Sequence, residues 1–97
     1  MIKHIVMAKF KPEVTQEQQV EAMGKMREAS AQIPSVKNFI IGPALDLEGK
    51  PAYSGVMLID FDDETQLKAY LDHPVHKAVE AQVSAMCTDI LIIDCLY

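Results

Sequence analysis

Residues 2–10 read IKHIVMAKF, a segment rich in β-branched and aliphatic side chains that predicts a first β-strand. Because successive side chains of a strand point to opposite faces, both faces of this strand are largely apolar. The face that includes the histidine carries Ile2, His4, Val6, Ala8 and Phe10. The other face carries Ile5 and Met7, so each side of this strand needs a cover.

Working outward from this strand, the next elements are a helix and two more strands. Thr15 and Gln18 have the spacing of a capping box and predict a helix from about residue 16 to 32. The segment from Val36 to Ile41, closed by Gly42 and Pro43, predicts a second strand. The segment from Tyr53 to Phe61 predicts a third strand, joined to the second by an irregular loop.

The last third of the chain predicts a broken helix and a final strand. Asp63 repeats the capping pattern and starts a short helix that should stop before His73. Pro74 suits the first position of a new helix, which we expect to run to about Met86. Thr88 to Tyr97 predicts the fourth strand. The order β-α-β-β-α-β, with the second helix broken in two, predicts an α+β ferredoxin-like fold with an antiparallel four-stranded sheet and helices on one face.

The apolar content predicts that this single domain, residues 1–97, is a homodimer. The chain is 97 residues long and 49% apolar, and a chain this short buries only about two-thirds of its surface. The fourth strand, like the first, has two apolar faces: Leu91, Ile93 and Cys95 on one and Ile90, Ile92 and Leu96 on the other. Helices cover one face of the sheet, so we expect a second copy to cover the other in a dimeric α/β barrel. Irregular strands that hide the second face locally are the alternative.

Charge and composition exclude several other partners. The net charge of −5 argues against nucleic acid. The longest apolar runs are four residues, far short of the roughly twenty that a membrane span needs. No signal-peptide pattern opens the sequence, and Cys87 and Cys95 lack the spacing of a zinc site or disulfide framework. We therefore expect a cytoplasmic protein with reduced thiols and no membrane partner.

Several of these segments together resemble the stress-responsive dimeric A/B barrel (Dabb) family. They are the histidine-bearing first strand, Ile33-Pro34, Phe61, Tyr70, His73-Pro74-Val75-His76 and the last strand from Asp89 to Asp94. The resemblance runs over essentially the whole chain and implies a homodimeric ferredoxin-like barrel. Most members of the family have no assigned activity, some are linked to stress tolerance, and polyketide cyclases of the olivetolic acid cyclase type are enzymes.

The resemblance to these cyclases also implies a pocket between the helices and the sheet. Their catalytic tyrosine and histidine fall on Tyr70 and His76, and two further pocket histidines fall on His4 and His73. Where the cyclase pocket has its apolar lining, this chain has three methionines, Met23, Met26 and Met57, which can either fill or line a cavity. On this basis His4, His73, Met26 and Met57 are candidate ligand-binding residues.

His76 and Tyr70 are the candidate catalytic residues. His76 should lie in the first helical turn after Pro74, where the helix dipole disfavours imidazolium, so its ring should be neutral. A neutral imidazole can take a proton from an activated carbon while a tyrosine hydroxyl holds the enolate oxygen. The structural alternative is that His73 and His76 tie down a helix junction and Tyr70 packs its ring.

The expected function is that of a stress-responsive A/B barrel homodimer that binds a small organic ligand without a cofactor. One alternative is a cofactor-free cyclase or lyase that acts on an enolisable carbonyl compound through Tyr70 and His76. Another is a monooxygenase of the wider dimeric barrel group. The three histidines could form a metal trio, but a proline within the motif and the lack of a helical carboxylate at ligand spacing argue against a metal.

Overall fold

A computed structural model describes residues 1–97 and has the predicted order of elements. Four strands and three helices follow one another along the chain: β1 (Ile2–Phe10), α1 (Gln16–Ala31), β2 (Lys37–Pro43), β3 (Gly55–Phe61), α2 (Glu64–Asp72), α3 (Pro74–Ser84) and β4 (Cys87–Leu96). The sheet is antiparallel, with the strand order β2-β3-β1-β4. The predicted α+β ferredoxin-like fold is confirmed. No helix has the length and apolar character that crossing a bilayer requires.

The helices begin at the residues whose side chains can cap them. The Thr15 and Gln18 side chains form the reciprocal capping box of α1, and Asp63 accepts a hydrogen bond from the Gln66 N–H at the start of α2. His73 has an extended backbone, and its Nδ1 accepts a hydrogen bond from the Val75 N–H. The break between α2 and α3 therefore falls at His73, with Pro74 as the first residue of α3, as expected.

Two strand boundaries differ from the prediction by two residues, and the other strand ends agree with it to within one residue. α3 ends at Ser84 rather than near Met86. β2 continues through Gly42 to Pro43, because it lies at the edge of the sheet, where a residue without an N–H is tolerated. β3 begins at Gly55 rather than at Tyr53, whose hydroxyl instead donates a hydrogen bond to Asp89 at 2.8 Å.

The main core lies between the helices and one face of the sheet. Its most deeply buried side chains are Ile59 and Phe61 of β3 and Tyr70 of α2. β1 contributes its even-numbered side chains to this side, including His4, which is only 3% exposed. This is the face on which the alternation of β1 predicts His4.

The other face of the sheet, which we call the open face, has no helix over it. Its register places Ile5 of β1 directly between Leu58 of β3 and Ile93 of β4. The remaining apolar side chains on this face are Met7, Ile40, Val56, Leu91 and Cys95. Ile40 is 58% exposed and Ile93 is 50% exposed, so within one chain this face is a large apolar surface.

One end of the open face carries a buried carboxylate. Asp60 accepts hydrogen bonds from the Lys3 ammonium at 2.7 Å, the Asn38 amide at 2.9 Å and the Tyr97 hydroxyl at 2.8 Å. These bonds, with Lys3 first, lower the pKa of Asp60 to about 2. Asn38 reaches Asp60 from a left-handed backbone conformation, with φ of 48°, where the pairing of β2 with β3 is irregular.

Candidate functional site

A cleft of about 360 Å³ opens between α3 and the part of the sheet formed by β1 and β4. Most of its wall is apolar. Val6 and Ala8 form its floor on β1, Ile90 and Ile92 extend it along β4, and other apolar side chains complete it: Met26, Met57, Leu71 and Val83. The volume lies within the roughly 300–1,000 Å³ of small-molecule sites.

His4 and Asp94 form a hydrogen-bonded pair in the wall of this cleft. They lie directly opposite each other in the β1–β4 register, and Nδ1 of His4 lies 2.5 Å from Oδ1 of Asp94. Because a carboxylate can only accept, this bond places a proton on Nδ1 and leaves Nε2 as the free ring nitrogen. The side chain of Asp94 thus links the edge strand β4 to His4 in the core.

His76 enters the cleft from the first turn of α3. Its Nδ1 lies 3.2 Å from the carbonyl oxygen of Leu71, which can only accept, so Nδ1 carries the proton and Nε2 is free. Burial lowers the pKa of His76, although the Leu71 carbonyl and the Glu80 carboxylate oppose the change. The ring is therefore neutral near pH 7, as expected, but the cause is burial rather than the helix dipole.

Tyr70 lies behind the two histidines rather than in the wall of the cleft. Its ring centroid is 4.3 Å from that of His76 and 5.9 Å from that of His4. The side chain is almost completely buried, and its hydroxyl makes no hydrogen bond. Burial raises the pKa of Tyr70 to about 12, against an opposing effect of the Ser30 hydroxyl, so the phenol stays protonated.

His73 and the methionines occupy different places. His73 caps α3 and does not line the cleft. Met26 and Met57 line the cleft and also a second, apolar cavity of about 50 Å³, which Met23 lines as well. Met23 leaves little space near Gly55, since a Cβ added there would lie 2.8 Å from its terminal methyl. The methionines therefore nearly fill the small cavity but leave the larger cleft open.

Three polar residues of the cleft were not predicted from the sequence. Glu80 lies one helical turn after His76, a spacing that places both on one face of α3 and could have indicated it. Asp94 reaches His4 only through the register of β1 with β4, which the pattern of apolar residues does not specify. Ser84, a further turn along α3, completes the polar lining.

The arrangement is suited to hydrogen bonding. No group of three or more His, Cys, Asp or Glu side chains in the chain is placed to hold a metal ion. The two imidazoles instead each keep one ring nitrogen free beside apolar walls. Such a cleft can hold an apolar molecule and orient one polar group on it.

Comparison with known proteins identifies the family. The family model described as Stress responsive A/B Barrel Domain matches residues 2–96. No curated protein matches the chain.

Solved structures agree with this assignment. A dimeric ferredoxin-like protein of unknown function from Thermobifida fusca is 29% identical, with 99% of this chain and 90% of that one covered and a TM-score of 0.89. A second dimeric ferredoxin-like protein of unknown function, from Jannaschia, is 29% identical, with 99% and 98% covered and a TM-score of 0.83. The hydroxynitrile lyase of Passiflora edulis shares the fold at 15% identity, with 99% and 92% covered and a TM-score of 0.89. The match over residues 2–96 shows that the chain belongs to the stress-responsive A/B barrel domain family.

Proposed function

We propose that this protein is a homodimer in which each protomer binds a small, mainly apolar organic molecule in the cleft between α3 and the β1–β4 pair. The observation that carries this proposal is the cleft itself, about 360 Å³ with apolar walls and the side chains of His4 and His76 among its lining. Both rings are buried, at 3% and 9% exposure, so a hydrogen bond to either would form out of bulk water. Polar groups of this kind orient a ligand, and the apolar walls supply most of the affinity.

The open face of the sheet supports the homodimer. It leaves a continuous apolar surface without a helix, and a second copy related by a two-fold axis can cover it with the same surface. The related proteins from Thermobifida fusca and Jannaschia are described as dimeric. Two free cysteines are typical of a reducing compartment, and on this basis we propose that the dimer is cytoplasmic.

A binding titration tests the ligand proposal. 2-Naphthol, followed by its own fluorescence, has an apolar body and one hydroxyl that can donate to a free imidazole nitrogen. Ser84→Phe puts a ring into the cleft and should weaken binding at least tenfold. Ala81→Phe puts the same ring on the exposed side of α3 and should leave binding unchanged. No saturable binding, or equal loss in both variants, would contradict the proposal.

Proton abstraction from a carbonyl compound is a second candidate function, favoured by the neutral imidazole of His76 beside the protonated phenol of Tyr70. In this role His76 would be the base. Tyr70, behind it, would position the ring. Exchange of the methyl protons of 2-acetylnaphthalene for deuterium, followed by NMR, measures this step directly. His76→Gln should abolish exchange above the solvent rate, and an unchanged rate in that variant would exclude the role. We do not propose a monooxygenase activity, because no observation on the cleft favours it.

A further inference from the structure

The polar groups that line the cleft have a common property: nearly all of them can only accept hydrogen bonds. Glu80 and Asp94 supply carboxylate oxygens, and the free Nε2 of His76 is an acceptor because the ring is neutral with its proton on Nδ1. His4 likewise commits its Nδ1 proton to Asp94. Only the hydroxyl of Ser84 can donate freely.

The charge of the lining also favours a hydrogen-bond donor over an acceptor, because it is negative. Among the 13 residues that line the cleft there is neither a lysine nor an arginine, whereas there are two carboxylates. Glu80 lies close enough to the buried rings to act on the pKa values of both His76 and Tyr70. Two carboxylates without a lysine or an arginine give the lining a negative charge.

A ligand that carries a carboxylate or a phosphate would therefore meet acceptors or negative charge at every polar position except Ser84. Its own oxygens could find a partner only at Ser84, and burying an unpaired charge is costly. An ammonium group has three hydrogen-bond donors and no acceptor, so it can pair with the acceptors of the lining. Its positive charge is attracted by the two carboxylates.

We propose that the cleft selects apolar molecules with a cationic, hydrogen-bond-donating head group, in chemical class aryl-alkyl amines, over molecules with an anionic head group. This inference rests on the proposed ligand-binding function and adds the class of ligand. The apolar body would lie against Val6, Met26 and Ile92, and the ammonium group would lie between Glu80 and Asp94.

Three ligands of nearly equal shape test separately whether the cleft binds an apolar molecule and whether it prefers a cationic head group. They are 2-naphthylmethylamine, 2-naphthylmethanol and 2-naphthoic acid, titrated into the full chain at pH 7.5 by fluorescence and calorimetry. The amine should bind most tightly and the acid most weakly, with a ratio of at least about tenfold between them. The ratio should shrink as salt is added, since salt screens the carboxylates. The alcohol should displace the amine, which would show that both occupy one site.

A matched pair of variants tests whether the charge of Glu80 causes the preference for the amine over the acid. Glu80→Gln keeps the size of the side chain and should reduce the amine-to-acid ratio about threefold or more. Glu28→Gln removes the same charge from the exposed side of α1 and should leave the ratio unchanged. An acid that binds as tightly as the amine, or a ratio that falls equally in both variants, would overturn the inference while the binding function stands. Saturable binding by none of the three ligands would overturn the binding function and the inference with it.

Discussion

Nδ1 of His4 lies 2.5 Å from Oδ1 of Asp94, at directly opposed positions of β1 and the edge strand β4. The histidine is buried and the aspartate side chain is 41% exposed, so the bond runs from the core to the rim of the cleft. It fixes the tautomer of His4 and holds β4 in register at the wall of the candidate site.

Removing this acceptor should destabilise the fold. Asp94→Ala leaves the buried Nδ1–H of His4 without a partner, which we expect to lower the free energy of unfolding by about 1–3 kcal/mol. Asp94→Asn keeps an oxygen acceptor, so its free energy of unfolding should fall by clearly less. Urea unfolding followed by circular dichroism measures both, and equal losses in the two variants would show that the hydrogen bond is not the cause.

His76 should titrate below the usual histidine value of about 6.5. Burial lowers its pKa in the folded chain, so as the pH falls the unfolded chain binds the proton first. The stability contributed by neutral His76 is therefore complete above about pH 6.5 and declines below it. NMR titration of the ring should give a pKa under 6.5 and a proton on Nδ1. The advantage of the wild type over His76→Asn in Tm should shrink between pH 7 and 5. A pKa above 6.5 would contradict the account.

The carboxylate on the open face predicts a second dependence on pH, at lower values. The pKa of Asp60 is about 2 in the folded chain, below its ordinary value of 3.8, so the stability that it contributes is present above about pH 4 and is lost as the pH falls toward 2. Asp60→Asn should have a lower Tm than the wild type at pH 6, and the two should converge near pH 2. Asp46→Asn, in an exposed loop, is the control and should show no such convergence.

Two neighbouring isoleucines of β4 test the dimer. Ile93 lies on the open face and is 50% exposed, whereas Ile92 lies on the helix side and is 55% exposed. An aspartate at position 93 would bring a charge into an apolar interface, so Ile93→Asp should give monomers or aggregates in analytical ultracentrifugation. Ile92→Asp adds the same charge to the same strand and should remain dimeric. A dimer that is intact in both variants would place the interface elsewhere.

Local sequence patterns predict the features of the fold that depend only on residues near one another in the chain. Capping residues act within three positions of the chain, which is why Thr15 and Asp63 mark their helices correctly. The alternation in β1 was also sufficient to assign His4 to the helix side, because strand geometry leaves only two faces. Both predictions need only neighbours along the chain.

The features that were missed depend on contacts between distant segments. The bond from His4 to Asp94 joins residues 90 positions apart, and a shift of one residue in register would turn Asp94 to the other face. Whether Met26 and Met57 fill or line a cavity likewise depends on the distance between α1, α3 and the sheet. Flexible methionine side chains are compatible with either outcome, so composition could not decide.

The six methionines allow the most direct test of the central claim, which is that the cleft holds an apolar ligand. With methyl-13C-methionine, titration of 2-naphthol can be followed at every methionine at once by NMR. We predict saturable shifts at Met26 and Met57, which line the cleft, and none at Met7, which lies on the open face. Shifts confined to Met7, or no saturable shift at any methionine, would contradict the account.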